Sequence, residues 1–208
     1  MKLIYKGKYD NNPDSLPHKE HKPGAVKFKE FENSKQMGIF ANALGIVIMA
    51  VLALLMAIRV GGVNDIVRGG FKVIFVDHII AADLGMLTSM LTLFPHEILH
   101  GVCFKDEVHL YTNWTQGMLF VVGPEDMSKA RFVFMSLLPN LVFGFIPYSI
   151  FLTFPNLIFF GALGTLAVGM GAGDYYNVFN ALTQMPKGAR TYLYKFNSYW
   201  YIPEEGAQ

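Results

Sequence analysis

The sequence predicts an all-α polytopic membrane protein, with about four transmembrane helices and a small cytoplasmic β-hairpin between the second and third. Three observations predict it. Charged residues make up only 16% of the 208, against roughly a quarter in a soluble domain. Those charges crowd into the first 37 residues and are nearly absent from long stretches after them. Four of these stretches are apolar over the length a helix needs to cross ~30 Å of hydrocarbon.

The first 36 residues are polar and Lys-rich, with Pro13, Pro17 and Pro23 breaking any long helix. They read as a cytosolic tail of uncertain order, although the alternation Val26-Lys27-Phe28-Lys29-Glu30-Phe31 suits a short strand. The first span covers residues 37–58. It begins behind a long polar lead, which predicts an uncleaved anchor, and Arg59 and Gly61-Gly62 are expected to end it. A short loop then covers 60–72. The second span covers 79–103 and carries Pro95, which removes a backbone donor and should kink or restart the helix.

Two runs rich in β-branched and aromatic residues follow within 107–122, separated by Asn113-Trp114-Thr115-Gln116-Gly117. They predict the hairpin. The third span covers 131–154 and is interrupted by Pro139-Asn140 and Pro147. The fourth covers 157–182, and its glycines (161, 164, 169, 171, 173) allow close helix approach. Residues 37–182 thus form one membrane domain, and 183–208 form an aromatic, mildly basic cytosolic tail.

Fourteen Lys and Arg residues fall in the two tails and the 105–131 segment, against Arg59, Arg68 and Lys72 on the other side. Basic residues favour the cytoplasmic face, so both termini and the hairpin are expected to be cytoplasmic in a multi-pass protein of the plasma membrane. The net charge of +1 says nothing about nucleic acid, and no basic-aromatic groove signature appears, so no nucleic-acid partner is expected. The lone Cys103 excludes an intramolecular disulfide.

The chemistry concentrates in Phe94-Pro95-His96-Glu97-Ile98-Leu99-His100. On a helix, His96 and His100 are four apart and share a face, so both imidazoles can bind one metal ion. Glu97, rotated by about 100°, can activate a zinc-bound water whose pKa the metal lowers to ~7. Ionisable groups are costly in lipid and by default mark function, which argues against a metal-free polar network. A catalytic zinc usually takes three protein ligands. Asp174 is the third candidate, at the depth of the histidines near the inner end of the fourth span, with a helix-end carboxylate as its alternative role. Asn140 is a candidate for contacting substrate or stabilising the oxyanion; its alternative is an interhelical hydrogen bond at the Pro139 kink. Asn177, one turn after Asp174, is a candidate for orienting that carboxylate or contacting substrate. Asp77 and His78 read as structural residues of the outer interface.

His-Glu-x-x-His on one span, a hairpin, a span with Pro-Asn and a Gly-rich span bearing Asp together resemble the three-helix core of site-2-type intramembrane metalloproteases. More closely, the chain resembles a bacterial membrane family described as putative zincin peptidases. Leu16-Pro17, Ala25-Val26-Lys27-Phe28-Lys29-Glu30 and Met127-Ser128-Lys129 add to that likeness. Where site-2-type enzymes carry Leu-Asp-Gly, this chain has Gly173-Asp174-Tyr175. The resemblance implies a zinc-dependent peptidase acting on a peptide or transmembrane protein at or within the bilayer. Two other readings stay open. Gly171-Ala172-Gly173-Asp174 is the Gly-x-Gly-Asp string of aspartyl intramembrane proteases, and the same ligands can serve a non-enzymatic metal-binding membrane protein.

Overall fold

Apolar runs without charge propagate as helices, and alternating runs at the chain ends and in the 105–131 segment pair as strands. In the computed structural model, residues 2–68, 71–116 and 118–203 are described. The order is β1 (Lys2–Lys8), β2 (Val26–Lys27), α1 (Ser34–Arg68), α2 (Phe71–Leu91), α3 (Leu93–Val102), β3 (Glu107–Asn113) and β4 (Met118–Val122). There follow β5 (Met127–Ser128), α4 (Lys129–Asn140), α5 (Ile146–Thr153), α6 (Ile158–Met170), α7 (Ala172–Gln184), β6 (Arg190–Tyr194) and β7 (Asn197–Tyr201). A π-helical turn, Leu141–Phe145, joins α4 to α5.

Ser34–Gly61 and Lys129–Thr153 are long and apolar enough to cross a membrane. Ile79–Leu91 with Leu93–Val102, and Ile158–Met170 with Ala172–Gln184, are bent by 42° and 52° and would each make one broken span. The described helices therefore offer two spans, or up to four.

The chain divides into two compact units. The apolar unit comprises Asn42–His96 and Pro139–Ala172. Its helices approach closely at glycines: a Cβ on Gly45 would lie 2.6 Å from the Gly169 carbonyl oxygen, and one on Gly85 would collide with the Phe159 carbonyl. Its core gathers Met56, Ala82, Tyr148, Phe151, Ile158 and Ala162. The one hydroxyl in that core is satisfied, because Tyr148 Oη donates to the Leu52 carbonyl at 2.8 Å.

The mixed unit comprises Met1–Ala41, Glu97–Leu138 and Gly173–Gln208. It contains two sheets, ordered β1-β3-β4 and β2-β7-β6-β5. In the first, β1 runs parallel to β3, with Lys2 opposite Glu107 and Lys8 opposite Thr112, while β3 and β4 form the antiparallel hairpin. Tyr9 and Leu16 bury against Tyr111 of that sheet. In the second, β6 and β7 form a hairpin at the C-terminal end, flanked by β5 and β2.

Several expectations are corrected here. The chain is mostly helical but not all-α. The N-terminal tail supplies β1 and β2, and the C-terminal tail supplies β6 and β7. The predicted hairpin is present, but β1 covers one side of it, so β3 is a central strand. The described residues of the predicted 60–72 loop are helical instead, because α1 continues through Gly61-Gly62 to Arg68 and α2 begins at Phe71. A long helix gains a hydrogen bond with each residue added, and that tolerates two glycines costing ~1 kcal/mol apiece.

Candidate metal centre

Two prolines shape the site through the same defect. A proline has no N–H, so the carbonyl four residues earlier loses its helical donor. For Pro95 that carbonyl belongs to Leu91, where α2 ends. Thr92 bridges the bend, its Oγ1 donating to the Ser89 carbonyl at 2.7 Å and its carbonyl accepting from His96 N at 2.8 Å. The chain then restarts as α3, which carries His96, Glu97 and His100.

On α3 one ligand atom from each of these three residues lies within 4.8 Å of the others. Glu97 and His100 are buried and His96 is half-buried. Among the described residues this is the group of His, Cys, Asp or Glu side chains arranged closely enough to hold an ion.

The second proline orients His100. Pro139, inside α4, leaves the Met135 carbonyl without its helical donor. His100 Nδ1 lies 2.9 Å from that oxygen. A carbonyl can only accept, so Nδ1 carries the proton and Nε2 keeps its lone pair when the ring is neutral. Fixing the tautomer this way is how a neighbouring acceptor prepares an imidazole for a metal.

His100 Nε2 lies 3.3 Å from Asp174 Oδ1. Two ligands about 2.0–2.1 Å from a tetrahedral zinc stand ~3.4 Å apart, so this spacing fits two donors of one ion. Asp174 sits in the first turn of α7, just past the bend at Gly171. A carboxylate is favoured there by the positive end of the helix dipole. Two imidazoles and a carboxylate are donors that zinc accepts.

Glu97 turns to the sheet, where its Oε2 accepts from Val121 N at 3.0 Å. Val121 lies on β4, an outer strand of its sheet, and its N–H points away from β3. Among the described residues no strand pairs with this edge of β4, and Glu97 faces it.

The end of α3 is held by a polar clamp. Arg131 Nε donates to the Cys103 carbonyl at 2.9 Å, and Arg131 Nη1 pairs with Glu125 Oε1 at 2.6 Å. Glu125 Oε2 in turn accepts from Lys105 N at 2.6 Å. Cations are favourable at a helix C-terminus, so the clamp stabilises α3 where the chain leaves it.

The structure thus brings His96, Glu97 and His100 together on α3, with Asp174 beside His100. Asn177 lies one turn along α7 from Asp174 and lines a cavity of about 230 Å³ that also touches Val121 and Met135. Asn140 is fully buried against the bend between α6 and α7, where a Cβ on Gly171 would collide with its side-chain oxygen. His109 pairs with Glu107 at 2.6 Å on β3. The side chains of Asp77 and His78 lie outside the described residues. Sequence reasoning missed Met135, Val121, Glu125 and Arg131. Only the first left a signal, since Pro139 stands four residues after Met135.

The model of the family described as "Putative zincin peptidase" matches residues 89–190. That stretch is just under half of the chain and holds all of the predicted site residues. Its description suggests a zinc metallopeptidase. Neither a curated protein nor a solved structure matches the chain.

Proposed function

We propose that the protein is a membrane-embedded zinc metallopeptidase of the site-2 type, hydrolysing peptide bonds at or within the bilayer. The observation that carries this reading is the 3.3 Å approach of His100 Nε2 to Asp174 Oδ1, with Glu97 one residue after His96 on the same helix. His96, His100 and Asp174 would hold the ion. When bound, zinc supplies a water acidic enough to yield hydroxide near neutral pH. Glu97 takes the proton from the attacking water and passes it to the leaving amine, a role that requires a carboxylate within hydrogen-bond reach of the water. Storage or transport would not call for that base. The aspartyl reading has less support, because Asp174 Oδ1 pairs with the His100 imidazole.

The substrate is a peptide or a transmembrane protein segment, bound as an added strand on β4. A helix hides its carbonyls in internal hydrogen bonds, so a transmembrane substrate must unwind before hydrolysis. A free strand edge stabilises the unwound form by main-chain pairing. Asn140 and Asn177 are assigned to substrate contact or to positioning of the site. The excess of basic residues in both tails and the 105–131 segment supports a cytoplasmic location for these parts; reporter fusions at Lys35 and Gln208 that register an outside location would overturn that orientation.

The decisive experiment is peptide hydrolysis by purified protein in lipid, wild type beside Glu97→Gln. The variant should keep its zinc and lose at least a hundredfold in turnover. Equal turnover would remove the proposed base.

A further inference from the structure

The cavity beside Asn177 has no role in the chemistry described above, yet its lining includes a close neighbour of each proton-handling or ligating group of the mixed unit. Val121 gives its N–H to Glu97, Met135 gives its carbonyl to His100, and Asn177 stands one turn past Asp174. A side chain projecting from a peptide on the β4 edge has this hollow within reach. At about 230 Å³ it is smaller than the ~300–1,000 Å³ of a small-molecule site, a size for one large side chain.

Its walls are mainly apolar, with Phe31, Met37, Phe104, Met127, Phe132 and Phe196 among them, and Asn177, Thr191 and Ser198 add polar groups. Two carboxylates also border it, and both are engaged. Glu125 is paired with Arg131 and the Lys105 N–H. Glu30 Oε1 accepts from Ser198 N at 2.5 Å and from Asn197 Nδ2 at 3.3 Å. Burial nevertheless pushes the Glu30 carboxyl above its usual range, the mark of a surrounding poor in water.

We infer that this cavity is the selectivity pocket for the substrate residue next to the scissile bond, and that it takes one bulky apolar side chain, aromatic or long aliphatic. The inference rests on the peptidase reading. Burying such a side chain contributes ~1.5–3 kcal/mol, equivalent to about ten- to a hundredfold in affinity. Glu30, Phe31, Met37 and the β6–β7 residues Leu193, Phe196 and Ser198 lie outside the stretch 89–190 that matches the peptidase family. The ligating and proton-handling residues lie inside it. The pocket therefore joins residues of the matched stretch, among them Phe104, Met127 and Phe132, to residues of the two chain ends, and the chain ends help set which residue is accepted.

The test measures binding without turnover. Zinc-loaded Glu97→Gln protein in lipid nanodiscs is titrated with dye-labelled peptides that are identical except for one central residue: Phe, Leu, Ala, Asp, Lys or Trp. The Phe and Leu peptides should bind at least tenfold more tightly than the Ala peptide, with Asp weakest. Leu193 lines the cavity opposite Ser198 in the hairpin, so in the Glu97→Gln background Leu193→Trp should fill the pocket and cut that preference below threefold. Leu193→Ala in the same background should keep the preference and tighten the Trp peptide, which guards against misfolding of the larger variant. Equal binding across the series, a preference for Lys, an intact preference in folded Leu193→Trp, or no gain for Trp in Leu193→Ala would each overturn the inference. Wild-type cleavage without selectivity overturns the pocket alone. Selective binding with no wild-type cleavage upholds the pocket as a side-chain binding site and overturns the peptidase reading together with its scissile bond.

Discussion

In the apolar unit the helices meet backbone to backbone: Gly45 lies against Gly169, Gly85 against Phe159, and Gly164 against the Gly144 carbonyl. In the mixed unit the elements meet through side chains and strand pairs: β1 against β3, Arg131 against Glu125, and His100 against the Met135 carbonyl. The difference is the one that lipid around the apolar unit and water around the mixed unit would favour, on the membrane reading proposed above. Where no water competes, backbone groups must pair within their own helix, and helix contacts gain most from close van der Waals approach. In the mixed unit polar partners specify geometry, and the buried Glu97 and His100 are both held by such partners. One unit is organised for proximity and the other for direction.

The sharpest way to break this contrast is at the glycines. Gly85→Leu would force α2 off α6 at a backbone carbonyl, an overpacking that should cost more than ~3 kcal/mol and remove the thermal unfolding transition seen in detergent. Gly173→Ala in the mixed unit meets only Met37 Cε at 3.6 Å and should change stability by less than ~1 kcal/mol. If the two variants unfold alike, packing does not distinguish the units.

A smaller effect is expected at the strand edge. Val121 N–H points outward to Glu97, so by strand alternation Leu119 N–H does as well. Leu119→Pro removes an outward donor without breaking the ladder to β3, a position that edge strands tolerate. Hydrolysis should fall about tenfold while zinc content and fold persist. Unchanged hydrolysis in the folded variant would reduce the hairpin to a connector.

The smallest and most discriminating change is Pro139→Ala. It restores a helical donor to the Met135 carbonyl, which then competes with His100 for that oxygen. Zinc affinity should fall about tenfold, while thermal stability holds or rises because a helix-breaking residue is gone. Unaltered affinity by competition with a metal indicator would show that the tautomer is fixed by other means.

What the sequence disclosed follows the same division. The apolar stretches, the restart at Pro95 and the spacing of His96 and His100 are local signals, readable within a few turns of chain. The 107–122 hairpin was legible for the same reason, since its strands are joined by a short turn. Strand β1 was not, because its partner β3 lies more than a hundred residues away and Lys2–Lys8 carries no pattern that names it. The contact between Glu97 and Val121 was hidden in the same way. Gly61-Gly62 misled as a stop because helix length outweighed residue preference. The depth argument for Asp174 drew on spans that were themselves local signals, and the structure sets that carboxylate beside His100.

The central claim, that His96 and His100 on α3 hold a zinc ion, is tested most directly by metal analysis of purified protein. Wild type and Glu97→Gln should each carry about one zinc per chain, and His96→Ala/His100→Ala less than a tenth of that. Wild type purified without a transition metal, or equal metal in the double variant, would contradict it.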